Sequence, residues 1–427
     1  LIPSIPTLIL QIALILVVCR IIGSVFLKMR QPRVVGEMFA GIMLGPSLLG
    51  WIAPHWSAVL FPPSSLGYLN ALSQVGVVIF MFLVGLGINP KELNRQSHTA
   101  ILTSHVSITL PFVFASFLAI YLYPRLSDRS VPFSNFALFM GAAMSITAFP
   151  VLARILSERD LLHSRLGTIA VACAAVDDVT GWCILAYIVL LIRATGTHAS
   201  IWLTIAGVVV FALIMVFGVQ RMLGRFEVLF RRKGHLSENA FALMILLALV
   251  SALCTERLGI HLLFGSFLLG AIMPKEQRFV RHVLDRFEVI VGVLLLPLFF
   301  AFTGLRTNIG LIRGQEMWMY CGLIILIATL GKFGGSMLAA WWTGMSVREA
   351  AGVGTLMNTR GLMELIVLNI GLDIKVVSPA LFSMMVLMAL ATTFMTSPVL
   401  QMICPDTVLR GQLEPAVQRL KFEAAGD

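Results

Sequence analysis

Apolar residues in this chain come in long uninterrupted runs, and the polar residues gather between them. A run of about 20 residues is long enough for a helix to cross the hydrocarbon core of a bilayer. Thirteen runs are readable, at 5–27, 33–52, 67–88, 99–123, 134–157, 164–192, 201–221, 237–256, 259–274, 285–304, 317–342, 348–371 and 378–403. The two-residue alternation of a membrane β-barrel, built from strands of about 9–11 residues, is not part of this pattern. The pattern therefore predicts an all-α polytopic membrane protein, with a transmembrane domain over 1–404 and a short tail over 405–427.

Composition strengthens that reading. Hydrophobic residues make up 58% and charged residues 12% of the chain, against about 45–50% and about 25% in soluble domains. So little polar surface cannot coat a soluble protein of 427 residues. The net charge of +10 would suggest a nucleic-acid partner in a polar chain. Here the basic residues fall in clusters between runs, such as Lys28/Arg30/Arg33, Arg231/Arg232/Lys233 and Lys275/Arg278/Arg281. If the N-terminus is outside, these clusters lie on the cytoplasmic side, where loop Lys and Arg concentrate. The prediction is N-terminus outside, C-terminus cytoplasmic, in a plasma or inner membrane, with the lipid bilayer as partner and no nucleic acid. The six cysteines lie in or at the edge of apolar runs without CxxC spacing, and read as packing residues.

Thirteen runs divide as six, one and six. A first repeat over 1–200, a linker helix over 201–221 and a second repeat over 237–403 would place the two halves in opposite orientations. Inverted repeats of this kind put their site near the midplane, on helices interrupted at matching positions. The fifth run carries Ser145, Thr147 and Pro150 through its middle, and the fifth run of the second half carries Thr355, Asn358, Thr359, Arg360 and Gly361. Proline removes a backbone hydrogen bond and hydroxyls compete for others. Two broken helices crossing at the site are therefore expected.

Ionisable residues within apolar runs are costly and mark function. They are Arg20, Glu37, Asp177, Asp178, Lys332, Arg360 and Glu364. Asp177 and Asp178 follow a stretch of small residues, Ala170–Val176, that suits the middle of a bundle. Neighbours on a helix point about 100° apart, so one carboxylate can face a fixed partner and the other a cavity. A carboxylate that holds either a proton or a small hard cation is the minimal device for exchange. Lys332 needs a carboxylate partner at such depth, and either aspartate can supply it. Arg360 and Glu364, spaced i, i+4, can pair along one helix face and brace the crossover. Glu37 and Arg20 lie near run ends, where long side chains snorkel or pair, and His105 and His261 read as packing residues. No phosphate-binding GxxxxGK[ST] loop, TVGYG filter, HExxH or GxSxG occurs, so ATP-driven pumping, a potassium-channel filter and hydrolase chemistry are unsupported. The chain is not expected to be an enzyme or to carry a cofactor.

Several motifs together resemble the cation:proton antiporter-2 family along almost the whole chain: Arg33–Ser47 (RVVGEMFAGIMLGPS), Phe82–Leu86, Ile146–Val151, Asp177-Asp178, Gly331-Lys332 and Asn358–Gly361. The stretch from Gly361 to Pro398 resembles the plant CHX-type exchangers and their bacterial relatives in particular. The resemblance implies the sodium/proton antiporter fold and a homodimer with a scaffold and a mobile core of runs 4–6 and 11–13. It also implies elevator-type alternating access. By motif position Asp178 matches the ion- and proton-binding carboxylate, Asp177 the partner of Lys332, and Thr147 a further oxygen for Na+ or K+. Ser145, Asn358, Arg360 and Glu364 stand as support. An Asp-Asp pair with the lysine implies electrogenic exchange. Gly87 stands where the family usually has an acid. The expected function is exchange of Na+ or K+ for H+, with a glutathione-gated potassium efflux pathway as the alternative.

Overall fold

The computed structural model describes residues 5–29, 31–87, 98–128, 130–158, 161, 164–193, 198–258 and 261–403, with some of these, Pro150 and Asp178 included, described by backbone only. The described residues are helical with no strand. Among the described residues, nine helices are long and apolar enough to cross a membrane alone, including Ile5–Lys28, Pro63–Gly87 and Pro379–Ile403. Large apolar side chains such as Ile9, Phe117, Phe217, Leu253 and Trp342 are more than half exposed. A surface of that kind is covered by lipid, and the protein is an integral, multi-pass membrane protein.

Two runs form longer helical segments than apolarity alone predicts. The linker run continues from His198–Leu213 through a π-helical turn, Ile214–Val219, into Gln220–Lys233. The tenth run begins early, as Gln277–Ile290, and passes through Val291–Leu295 into Leu296–Arg306. Both extensions are amphipathic. Leu223, Phe226 and Phe230 are buried while Arg221, Arg225 and Arg232 are exposed, and Phe279, Val283 and Phe287 are buried while Arg278, Arg281 and Arg286 are exposed. Helical spacing extends these segments after mean apolarity has fallen.

Both predicted interruptions are present. The fifth run is Phe133–Ser145, an extended stretch at 146–148, and Phe149–Glu158. The twelfth is Val347–Met357, a break at 358–361, and Leu362–Asp373.

The chain forms two compact units that alternate along the sequence, so they cut across the sequential halves expected for a repeat. One comprises 1–20, 37–92 and 182–306, the other 21–36, 93–181 and 307–427. In the first unit, Phe82, Leu86, Leu223, Phe226, Phe279 and Phe287 share one core. The Pro63–Gly87 and Leu262–Ile272 helices approach so closely there that a Cβ on Gly85 would stand 2.2 Å from the Phe267 carbonyl oxygen, and one on Gly270 2.0 Å from that of Phe82. Lys275 fixes the ends of both helices, donating to the carbonyls of Gly85 (2.8 Å), Leu86 (2.9 Å) and Gly270 (3.0 Å). A cation there satisfies orphan carbonyls and complements the helix dipoles. Burial pulls the Lys275 pKa down to about 7. Glu37 is buried at 4% exposure in this unit, which leaves pairing, of the two alternatives of snorkelling or pairing, as the one that fits.

In the second unit the core joins Leu152, Leu166, Ala170, Ala174, Val353 and Leu356. Small residues on the helix that carries the aspartates let its neighbours pack close, as Ala170–Val176 predicted.

Candidate functional site

The site lies entirely within the second unit, where the two broken helices cross. The link between them is a backbone hydrogen bond, Ala148 N–H to the Thr359 carbonyl at 3.0 Å. Each interruption frees peptide groups from its own helix, and these two satisfy one another across the crossing. Gly361 permits the approach, since a Cβ there would meet Val151 Cγ2 at 2.9 Å and Ala148 Cβ at 3.2 Å.

Beside the crossing, the Arg165–Arg193 helix places Asp177 at 0% exposure. Four donors converge on its carboxylate. Ser104 donates to Oδ1 at 2.5 Å, and Ser107, Thr147 and Lys332 reach Oδ2 at 3.1, 2.8 and 2.7 Å. A carboxylate has about four acceptor positions, and four donors already engage Asp177, one on Oδ1 and three on Oδ2. Lys332 is equally buried, and its ammonium also donates to the carbonyls of Ser107 at 3.0 Å and of Ser145. Three acceptors match the three N–H groups of an ammonium. Among the described side chains, the lysine pairs with Asp177. Lys332 sits in a π-helical turn, Leu330–Gly334. Such turns insert a residue into a helix and recur at functional sites.

The Phe133–Ser145 half-helix ends within the protein, where its last carbonyls have no helical partners. Arg360 Nη1 and Nη2 donate to the carbonyls of Ala143 (3.1 Å) and Met144 (2.7 Å), while Lys332 takes that of Ser145. Two cations thus close the negative end of one half-helix, where the dipole favours them. The Arg360 backbone is fixed in turn by Thr393, whose hydroxyl donates to the Arg360 carbonyl at 2.7 Å and accepts from its N–H at 2.9 Å. Glu364 is the i+4 neighbour, 3.5 Å from Arg360 Nη1.

The expected site residues are therefore largely brought together. Asp177, Lys332, Thr147 and the Ser145 carbonyl form one cluster, and Arg360 and Glu364 adjoin it through the half-helix end. The Thr147 hydroxyl also lies 3.2 Å from the Met357 carbonyl, and the Ser145 hydroxyl turns to Gly141 at 2.5 Å. Asn358 is 5% exposed, and its Oδ1 has no hydrogen-bond partner among the described residues. The Asp178 side chain lies outside the described residues. Sequence reading passed over Ser104 and Ser107. The signal was present: two serines three apart in an apolar run share a helix face. Among the described residues no group of three or more His, Cys, Asp or Glu forms a resident metal site.

Comparisons with known proteins converge on one class. Residues 13–404 match the family described as sodium/hydrogen exchanger, transmembrane. The chain is 42% identical to the Na+/H+ antiporter NhaS4 of Synechocystis over 93% of its own length and 98% of that protein's. It is 40% identical to cation/H+ antiporter 17 of Arabidopsis thaliana and 33% to K+/H+ antiporter 1 of Saccharomyces cerevisiae, over 92% and 94% of the chain. Those matches cover 48% and 47% of the plant and yeast proteins, so the chain spans about half their length. The fold is similar to that of the sodium proton antiporter MjNhaP1 of Methanocaldococcus jannaschii, with a TM-score of 0.68, 14% identity, and coverage of 95% of this chain and 99% of that one.

Proposed function

The chain belongs to the sodium/hydrogen exchanger family, and on that premise we propose that it is a secondary antiporter exchanging Na+ or K+ for H+ across the membrane. The observation that carries the reading is the Asp177 carboxylate, engaged by three hydroxyls and the Lys332 ammonium. With Asp177 committed to that fixed cation, the choice between a proton and a transported cation falls to its neighbour, Asp178. Carboxylate oxygens bind hard cations and protons alike, so the two ions compete for one place and their fluxes are coupled. Thr147, already beside the pair, supplies a further oxygen. The names of the relatives support the same class while pointing to Na+ in one and K+ in another.

The finer reading is electrogenic exchange by an elevator movement in a homodimer, with the N-terminus outside and the C-terminus cytoplasmic. The Lys332–Asp177 pair supports the first element, because a lysine that gains and gives up a proton moves charge in each cycle. The second compact unit supports the movement, since it holds most of runs 4–6 and 11–13. The opposed halves over 1–200 and 237–403, joined by 201–221, belong to the same reading.

Proteoliposomes loaded with a pH-sensitive dye test it. Adding Na+ or K+ outside vesicles loaded acidic drives proton efflux in the wild type, at a rate changed by an imposed membrane potential. Asp178→Asn abolishes the exchange while the protein stays folded. Undiminished exchange in that variant would remove Asp178 from the mechanism, and cation flux without proton counter-movement would replace antiport by a channel-like pathway.

A further inference from the structure

Glu364 is a buried charge that the exchange site leaves unexplained. It is 1% exposed, and neither carboxylate oxygen has a hydrogen-bond partner among the described residues. Its nearest cation, Arg360 Nη1, stands at 3.5 Å, whereas a charge-assisted hydrogen bond is about 2.7–2.9 Å long. Arg360 has committed its shorter bonds to the carbonyls of Ala143 and Met144. An ionised carboxylate held this way keeps most of its desolvation cost, and a proton removes that cost. Asp177, joined to the same half-helix end through Lys332, has four donors by contrast. Of the two, Glu364 is the carboxylate built to change state.

The half-helix connects them. Arg360 holds carbonyls 143 and 144, and Lys332 holds carbonyl 145 together with Asp177. When Glu364 is ionised, two cations at this end are balanced by two carboxylates. When it is neutral, Arg360 stands as an uncompensated positive charge on the end that Lys332 shares. Among the described residues, Arg360 and Lys332 are the charged groups acting on Glu364. The two helices packed most extensively on Leu362–Asp373, Phe133–Ser145 and Pro379–Ile403, carry no titratable side chain.

We propose that Glu364 is a proton-binding positioning residue that tunes, through Arg360 and the end of the Phe133–Ser145 half-helix, the pH at which the Lys332–Asp177 centre works. The proposal rests on the antiporter reading and adds a second titrating position to it. Removing the negative charge makes an ammonium at Lys332 less favourable, so protons leave the centre at lower pH.

The test is the pH profile of exchange in proteoliposomes for wild type, Glu364→Gln and Glu364→Asp. Glu364→Gln keeps the shape and loses the charge, and its half-maximal pH is expected about half a unit more acidic than the wild type's, a shift of about 0.7 kcal/mol in proton affinity. Glu364→Asp keeps the charge and restores the profile toward wild type. A merely structural role would lower the amount or the maximal rate of Glu364→Gln without moving its midpoint. An unmoved midpoint overturns the proposal. If Glu364→Gln is not recovered folded, infrared titration of the wild type decides. A protonated-carboxyl band that disappears with rising pH and changes frequency in Glu364→Asp assigns the proton to Glu364, and its absence overturns the assignment. Lack of exchange in the wild type would instead sink the antiporter reading, so the two failures are distinguishable.

Discussion

Replacing Asp177 by Asn removes one charge and almost no volume from the centre of the second unit. Asp177 accepts from three hydroxyls and one ammonium at full burial. In the amide, one acceptor oxygen becomes an NH2 donor. The hydroxyls can adjust by rotation, and Thr147 has the Met357 carbonyl at 3.2 Å as a ready alternative. Lys332 has only donors, so its lost contact cannot be reversed. Leaving one member of a buried ion pair uncompensated costs about 3–5 kcal/mol. For a cooperative unit of about 150–250 residues, each kcal/mol lowers the midpoint by about 2–4 °C, so Asp177→Asn should melt about 10 °C below the wild type in detergent. Asp177→Asn/Lys332→Met removes both charges and replaces the lysine stem with an apolar one, so it should recover at least half of that loss. Paired melting curves of wild type, both single variants and the double variant give the coupling energy as a double-mutant cycle. A single variant within about 1 °C of wild type, or a double variant as unstable as the sum of the singles, would refute the ion-pair account.

Two further outcomes follow from the first unit. Lys275 has its pKa lowered by burial from 10.5 to about 7, so between those values the unfolded chain keeps a proton that the folded chain has released. Stability from this group is therefore least below pH 7 and rises with pH through that window, and the melting-temperature difference between wild type and Lys275→Gln should widen from pH 7 to pH 9. A difference that narrows would mean that the three carbonyl acceptors, which need the full ammonium, outweigh burial. Gly270→Ala puts a Cβ 2.0 Å from the Phe82 carbonyl oxygen and forces backbone apart, costing about 1–3 kcal/mol. Gly67→Ala, which meets nothing within 4 Å, is the control, and equal melting temperatures for the two variants would contradict the close crossing.

Much of this architecture was legible because membrane burial makes polar residues conspicuous. Apolar runs located the helices, and both interruptions were visible in Pro150 and in the polar stretch ending at Gly361. Lys332 and the aspartates stood out as charges without an exposed excuse. Which aspartate the lysine meets was not legible from spacing, because adjacent residues on a helix differ in direction and only the packed neighbours decide between them. Ser104 and Ser107 were hidden by being small and common. The contacts of Lys275 were hidden for a different reason: it lies in the basic loop expected of it, and only the convergence of two helix ends gives it three carbonyls. The amphipathic extensions at Gln220–Lys233 and Gln277–Ile290 escaped a search for continuous apolarity, although their helical spacing was present in the pattern.

The cations at the crossover grip main-chain oxygens: Arg360 those of positions 143 and 144, Lys332 those of 107 and 145. A carbonyl is the same acceptor whatever side chain its residue carries. The support is thus blind to most sequence drift along the half-helix. Side chains near the crossing can change in size and polarity while the charges that hold the end of the half-helix stay in place. Under the proposed function, a lineage could therefore retune which ion it prefers by small steps near Thr147 and Asp178, with each intermediate still folded around an unchanged frame.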